Sequence, residues 1–245
     1  MPTMTSTDSP RYDLPPDWPT DEAGATAVQE RLRTSVVTAG EVAAPGAGPG
    51  TVAGVDVAYD DERGVVAAAA VALDPRTLEV VGETTAVGPV TFPYVPGLLA
   101  FREIPAVLDA LGALDRAGFR PDLVVCDGYG LAHPRRFGLA SHLGVLTGLP
   151  VIGVAKNPFT FRHADPGPRR GDWSSLLDGD EEVGRALRTR DGVKPVFVSV
   201  GHRIDLDGAC AHTLHLARDY RQPETTRRAD ALCRRALADA RAGRG

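Results

Sequence analysis

The sequence predicts a single α/β domain: a mixed sheet of three antiparallel strands followed by parallel strands, flanked by helices. Three observations carry this expectation. The runs Thr51–Tyr59, Val65–Leu73 and Leu78–Val87 are apolar and of strand length, and the links between them are too short for a crossover helix, so they form an antiparallel meander. Residues 121–158 then read as strand, helix, strand, and a crossover of that kind makes its two strands parallel. Finally, 245 residues at 43% hydrophobic content suffice for one full core.

Taken in order, residues 1–20 are rich in Pro, Asp, Ser and Thr and predict a disordered or loosely attached tail, leaving 21–245 as the domain. Ala27, Val28, Leu32 and Val36 fall at helical spacing within Glu22–Val37. Residues 43–50 (AAPGAGPG) form a linker; a phosphate-binding glycine loop would have a helix after it, and here a strand follows. That strand puts Val55 and Val57 on one face and Asp56 on the other. Asp74-Pro75 marks the turn between the second and third strands. Leu98–Leu114 is helical, with Pro105 either starting or kinking the helix.

The β-α-β unit organises the chain. Its first strand, Leu123–Cys126, ends in Asp127 and is followed by Gly128 and Gly130; its second, Val151–Ala155, ends in Lys156. A carboxylate at a strand's C-terminal end, beside backbone that a ligand can approach closely, is how an open α/β sheet builds a site. The crossover sets Asp127 and Lys156 at the same sheet edge. Residues 162–172 read as a loop, 172–194 as a hairpin turning at Gly179-Asp180, 194–204 as a strand, and 207–217 and 224–240 as helices. Three antiparallel strands followed by alternating helices and parallel strands is the ribonuclease H-like layout. In that layout the first and fourth strands are neighbours, so Asp56 and Asp127 would converge. Two carboxylates, with water and a substrate phosphate completing the shell, suit Mg²⁺.

Composition narrows the class. The longest apolar run, Val65–Leu73, is far short of the ~20 residues of a membrane span. The N-terminus lacks the basic end and apolar centre of a signal peptide, and Cys126, Cys210 and Cys233 form no C-x-x-C pair. A soluble, monomeric cytoplasmic protein with free thiols is the expectation. The net charge of −5 hides an asymmetry: residues 1–125 carry 8 basic and 18 acidic side chains, residues 126–245 carry 19 and 14. Arg135, Arg136, Arg162, Arg169 and Arg170 surround the β-α-β unit, where phosphate contacts would be wanted, although on charge alone a solvated surface is the favoured reading. Only Lys156 and Lys194 are lysines, against 25 arginines; a surviving lysine suits a place that needs a compact ammonium. Cys210, His212 and His215 suggest zinc, but on a helix the first two point about 200° apart and cannot share an ion.

Several stretches carry a resemblance. DGYGLAHPRRFGLASHLG with GVAKNP resembles the centre of the endonuclease V family, the deoxyinosine 3′ endonucleases. GVDVAY is similar to that family's first motif, PYVPGLLAFREIP to its second and RQPETTRRAD to its last. The resemblance implies Asp56, Glu103 and Asp127 as catalytic and metal-binding carboxylates, Asp230 as a further metal position, and Lys156 as a catalytic lysine. Tyr94, held between Pro93 and Pro96, would be the strand-separating wedge, where the residues alone allow packing at a core edge equally. Leu99, Gly128, Gly130, His133 and Leu139 would contact the substrate, with the base flipped against backbone at the two glycines. On spacing alone Glu103 would serve a helix dipole and His133 a loop. Val200, where the family usually has proline, and Tyr129, where it has a polar residue, depart from the pattern. The implied activity is Mg²⁺-dependent cleavage (Mn²⁺ substituting) of deoxyinosine-containing DNA at the second phosphodiester 3′ of the lesion. Inosine-containing RNA as substrate and a non-catalytic nucleic-acid-binding module are the alternatives.

Overall fold

The computed structural model describes residues 12–48 and 50–243. An eight-stranded sheet runs in the order β3-β2-β1-β4-β5-β8-β7-β6. Strands β1 (Thr51–Asp60), β2 (Val65–Leu73) and β3 (Val80–Pro89) form the expected antiparallel meander. Strand β4 (Pro121–Cys126) lies parallel to both β1 and β5 (Val151–Ala155), which confirms the ribonuclease H-like adjacency of first and fourth strands. The parallel part ends there. Strand β8 (Val196–His202) adds to β5 antiparallel, and the hairpin of β6 (Trp173–Asp178) and β7 (Glu181–Leu187) extends the sheet beyond it.

Each face of the sheet carries its own core. On one, α2 (Leu99–Arg116) and α3 (Leu139–Thr147) bury Ile104, Leu108, Leu111 and Leu143 against Val55 and Val124. On the other, α4 (Leu206–Leu216) and α5 (Glu224–Arg241) cover Val71, Leu123, Val125 and Ile152. Strand β2 sits between the layers with Ala67, Ala68, Ala69 and Ala70 all fully buried; methyl side chains let helices approach from both sides. Gly54 serves the same end, because a Cβ there would lie 2.2 Å from the Thr225 carbonyl carbon in the first turn of α5.

Helix α1 (Glu22–Leu32) starts at Asp21, whose side chain accepts the Gly24 N–H, and ends in a short 3₁₀ turn over Arg33–Ser35. Of the residues expected to form a loose tail, 1–11 lie outside the described residues, whereas Trp18 packs on Phe101 and His142 with ring centroids 5.1 and 5.2 Å away. Trp18 also explains Pro105, which stands inside α2 rather than at its start. Proline withholds the N–H that the carbonyl four residues earlier would accept. That carbonyl belongs to Phe101, and the Trp18 indole N–H donates to it at 3.3 Å. The zinc reading fails on contacts as well as spacing: His212 and His215 pair their ring nitrogens with the Ala43 and Pro75 carbonyls. Among the described residues no helix is long and apolar enough to cross a membrane.

Candidate active site

The site forms where two strands end at different heights. Pairing between β1 and β4 stops at Val55 and Cys126, but β1 runs on to Asp60. The next residues, Asp56 and Asp127, therefore stand side by side at the rim of a notch in the sheet, about one strand spacing apart. Glu103 reaches the notch from α2 on one face and Asp230 from α5 on the other, so four carboxyl groups from four elements share one neighbourhood.

Asp56, Glu103 and Asp127 are poorly neutralised. Burial, and then Asp127, push the Asp56 carboxyl up to about 7. Its Oδ1 accepts the Val57 N–H at 2.8 Å, while Oδ2 is buried with no partner. Burial, and then Asp56, raise Glu103 to about 8; its Oε1 accepts the Tyr59 hydroxyl at 3.2 Å. The Arg102 guanidinium lies 4.3 Å from the Tyr59 ring centroid and pairs with Asp61, fixing the phenol that holds Glu103. Asp127 is raised too, because burial outweighs its ion pair with Lys156, Nζ to Oδ2 at 2.5 Å. Burial works against the Lys156 charge, yet Asp127 and Asp56 prevail and its pKa rises. Asp230 is tied to Arg234 within its own helix at 3.0 Å.

The donor set fits a hard divalent cation. Every candidate ligand is a carboxylate oxygen, one buried oxygen has no hydrogen-bond partner, and burial, followed by repulsion, keeps two of the acids from ionising readily. As the side chains lie, no three acidic, His or Cys groups among the described residues gather closely enough to hold an ion; the Lys156 ammonium sits on Asp127 instead.

Beside the notch opens a cavity of about 360 Å³. Asp127 and Lys156 belong to its wall, as do Gly128, His133, Leu99 and Leu139. Tyr94 stands at the mouth, 69% exposed. Gly130 is not among the lining residues: its N–H donates to Ser199 Oγ at 2.9 Å, and a Cβ there would sit 1.9 Å from the Val200 carbonyl oxygen. It serves the packing of the loop onto β8, not the cavity wall. Gly153 lets that loop fold over β5, since a Cβ would lie 2.6 Å from the Gly128 oxygen.

His133 takes a definite place. The Arg135 N–H points at its Nδ1 at 3.2 Å, so Nε2 carries the proton and donates to the Gly97 carbonyl at 3.0 Å. Burial, and then Arg135, push it down to about 4, so the ring is neutral and braces the Tyr94–Gly97 loop. The arginine cluster divides. Arg135 bonds Gln29 and Gly97, Arg136 pairs with Asp178 and Glu181, and Arg170 donates to the Leu214 and Ala217 carbonyls; only Arg162 and Arg169 keep side chains without such ties among the described residues. Four residues not singled out in the sequence also shape the site. Gln29 and Phe159 line the cavity, Asn157 accepts the Tyr129 hydroxyl on its carbonyl at 2.8 Å, and Arg221 clamps the Lys156 and Pro195 carbonyls. Asn157 and Arg221 stand inside the stretches GVAKNP and RQPETTRRAD, whereas Gln29 and Phe159 stand in no motif; of these two, Gln29, a polar residue on the buried side of α1, carried a visible signal.

Known proteins are similar to this chain over nearly its whole length. The family profile of endonuclease V matches residues 30–231. An endonuclease V of Streptomyces coelicolor is 70% identical over 227 residues, covering 93% of this chain and 95% of the relative. The crystal structure of endonuclease V from Streptomyces avermitilis superposes with a TM-score of 0.87 at 68% identity, covering 93% of this chain and 97% of that one. Endonuclease V of Ciona intestinalis, in complex with a 24mer DNA containing an inosine followed by a ribo-adenosine, is 27% identical with a TM-score of 0.76, over 89% and 98% of the two chains. With the family profile matching residues 30–231 and relatives of this identity covering nearly the whole chain, the chain belongs to the endonuclease V family and is a nuclease.

Proposed function

We propose that the chain recognises deoxyinosine in DNA and hydrolyses the second phosphodiester 3′ of it, leaving 3′-hydroxyl and 5′-phosphate ends, as a metal-dependent step in DNA repair. The observation that supports this best is the shared wall: Asp127 and Lys156 border both the carboxylate notch and a cavity large enough for a flipped base. Asp56, Asp127 and Glu103 would hold Mg²⁺ or Mn²⁺, with Asp230 beside them. When bound, such an ion neutralises phosphate charge and activates water. Glu103, fixed through Oε1 by Tyr59 and ionised beside the cation, orients the attacking water and takes its proton at Oε2. Lys156 brings a point charge to the phosphate. Gly128 and Leu139 bound the base, and His133 acts through Gly97 rather than on the substrate.

One labelled oligonucleotide series tests the reading: a single inosine in DNA, in RNA or absent, each with Mg²⁺, Mn²⁺, Ca²⁺ or chelator. Nicking of the inosine DNA with Mg²⁺ or Mn²⁺, and with no need for zinc, is expected. Full activity in excess chelator would remove the metal from the mechanism. The RNA arm is motivated by the Ciona relative, whose substrate strand carried a ribonucleotide after the inosine; faster cleavage there would assign the chain to RNA. Binding of inosine DNA without nicking under every condition would point to a binding module.

The wedge has its own expected result. Tyr94 is exposed on a loop stiffened by two prolines, where an aromatic ring fills the gap left by a flipped base. Tyr94→Ala should weaken cleavage of duplex substrate by about tenfold or more and leave single-stranded substrate nearly unchanged, since stacking is worth roughly 1–3 kcal/mol. Equal losses on both would make Tyr94 a packing residue.

A further inference from the structure

Gln29 is a fully buried amide whose two N–H donors and oxygen are engaged by two loops distant in sequence. Its Nε2 donates to the Gly97 carbonyl and to the Phe137 carbonyl, each at 3.0 Å, and its Oε1 accepts the Arg135 Nε at 2.5 Å. His133 Nε2 and Arg135 Nη2 converge on the same Gly97 oxygen, both at 3.0 Å. One carbonyl thus takes three donors, more than its two lone pairs accept ideally, and the knot sits at a residue with φ +80. Gly97 ends the loop that carries Tyr94, His133 and Gly138 belong to a second segment, and both segments line the cavity. Gln29 lines the cavity as well, so it touches the space whose two lining segments it ties together.

We infer that Gln29 is a positioning residue for substrate selection: by fixing Gly97 against the segment 133–137 it sets the width of the cavity, and so decides which flat bicyclic bases enter it. The inference rests on the proposed reading of the cavity as a base pocket. A side chain that merely stabilised the fold would change how much enzyme is active without changing what each molecule prefers. A side chain that sets the width changes the preference itself, because a slack wall loses contact with the right base and admits wrong ones.

The test uses Gln29→Met, which keeps length and volume but loses every hydrogen bond, and Gln29→Glu, which keeps the acceptor for Arg135 but offers the two carbonyls no donor. Leu216→Ala, a buried change in α4 away from the cavity, controls for lost stability. Cleavage is measured well below each melting temperature on oligonucleotides containing deoxyinosine and on matched ones containing deoxyadenosine or deoxyguanosine. Both Gln29 variants should raise KM for the deoxyinosine strand about tenfold, leave kcat within about threefold, and reduce the deoxyinosine preference, while Leu216→Ala keeps wild-type KM and preference. Wild-type KM and preference in a folded Gln29→Met or Gln29→Glu protein would overturn the inference, as would a fall in kcat alone. Should Gln29→Met not fold, Gln29→Glu decides by the same criteria. Wild-type protein that cleaves no inosine strand would instead refute the proposed reading of the site.

Discussion

Asp127→Asn should reduce nicking by about a thousandfold or more while leaving preferential binding of inosine DNA in place. The side chain keeps its size and one of its oxygens, so the end of β4 and the Gly128 turn have no reason to move. What changes is charge. Asp127 is the partner of Lys156 and a neighbour of Asp56, and it is the one carboxylate common to the notch and the cavity wall. Its loss weakens any cation in the notch and leaves Lys156 without its counter-ion; losing one charge-stabilising group from a reactive centre costs about a hundred- to a thousandfold, and here two functions fall together. Removing an anion beside the phosphate also eases binding in chelator. A gel shift that still favours inosine DNA, beside an absent nick, is the expected pair of results. Wild-type nicking by a folded variant would take Asp127 out of the chemistry.

Much of the fold was legible because its signals are local. Strand-length apolar runs with short links make a meander and a β-α-β crossover makes its strands parallel; the ribonuclease H-like layout that this pattern matches then set β1 beside β4 and Asp56 beside Asp127, as observed for the strands. The antiparallel placement of β8 was not legible. All seven of its residues are buried, so it shows no alternation to say which faces it presents, and nothing between 162 and 194 states on which side of β5 the chain returns. Pro105 was read as starting or kinking the helix, and what accommodates it inside α2 was not legible, because the partner that satisfies the Phe101 carbonyl comes from 83 residues away.

The site divides along the same line. Asp56, Asp127 and Lys156 belong to strands and strand ends, where an α/β sheet builds a site, and were visible as such; Glu103, Asp230 and Tyr94 stood out only through the resemblance. The supports were not visible, because their meaning lies in contacts across the chain. Gln29 gains its place from loops 68 and 108 residues away. Arg135 and Arg136 read as phosphate contacts until their partners appear, and then they are braces inside the protein. Gly130 looked like a ligand-facing glycine because it follows Gly128 by two, yet Ser199 and Val200 of β8 claim it.

The crowding of carboxyl groups has a cost that should be measurable in the absence of any substrate. Asp56 and Glu103 are held up to about 7 and about 8, against ordinary values of 3.8 and 4.5. In both cases burial is the first cause and a neighbouring carboxylate the second, so the folded protein holds these protons to higher pH than the unfolded chain does. Their contribution to stability is therefore fully present below about pH 4 and is lost as pH rises through about 7 to 8. Each group is raised by about three units, which at about 1.4 kcal/mol per unit is on the order of 4 kcal/mol. For a domain of this size that corresponds to a fall in Tm on the order of 10 °C between pH 5 and pH 9 in chelator. Glu103→Gln should flatten the profile and melt above wild type at pH 8.5, because a neutral amide still accepts the Tyr59 hydroxyl and no longer opposes Asp56. Added Mg²⁺ should raise the wild-type Tm at pH 8.5 and do less for the variant, since binding to the folded state alone stabilises it. A flat profile in chelator, or a Glu103→Gln protein less stable than wild type at pH 8.5, would show that the notch is not strained. The expected outcome is the trade seen wherever charge is stored for chemistry: the group whose removal stabilises the protein is the one whose removal stops the cut.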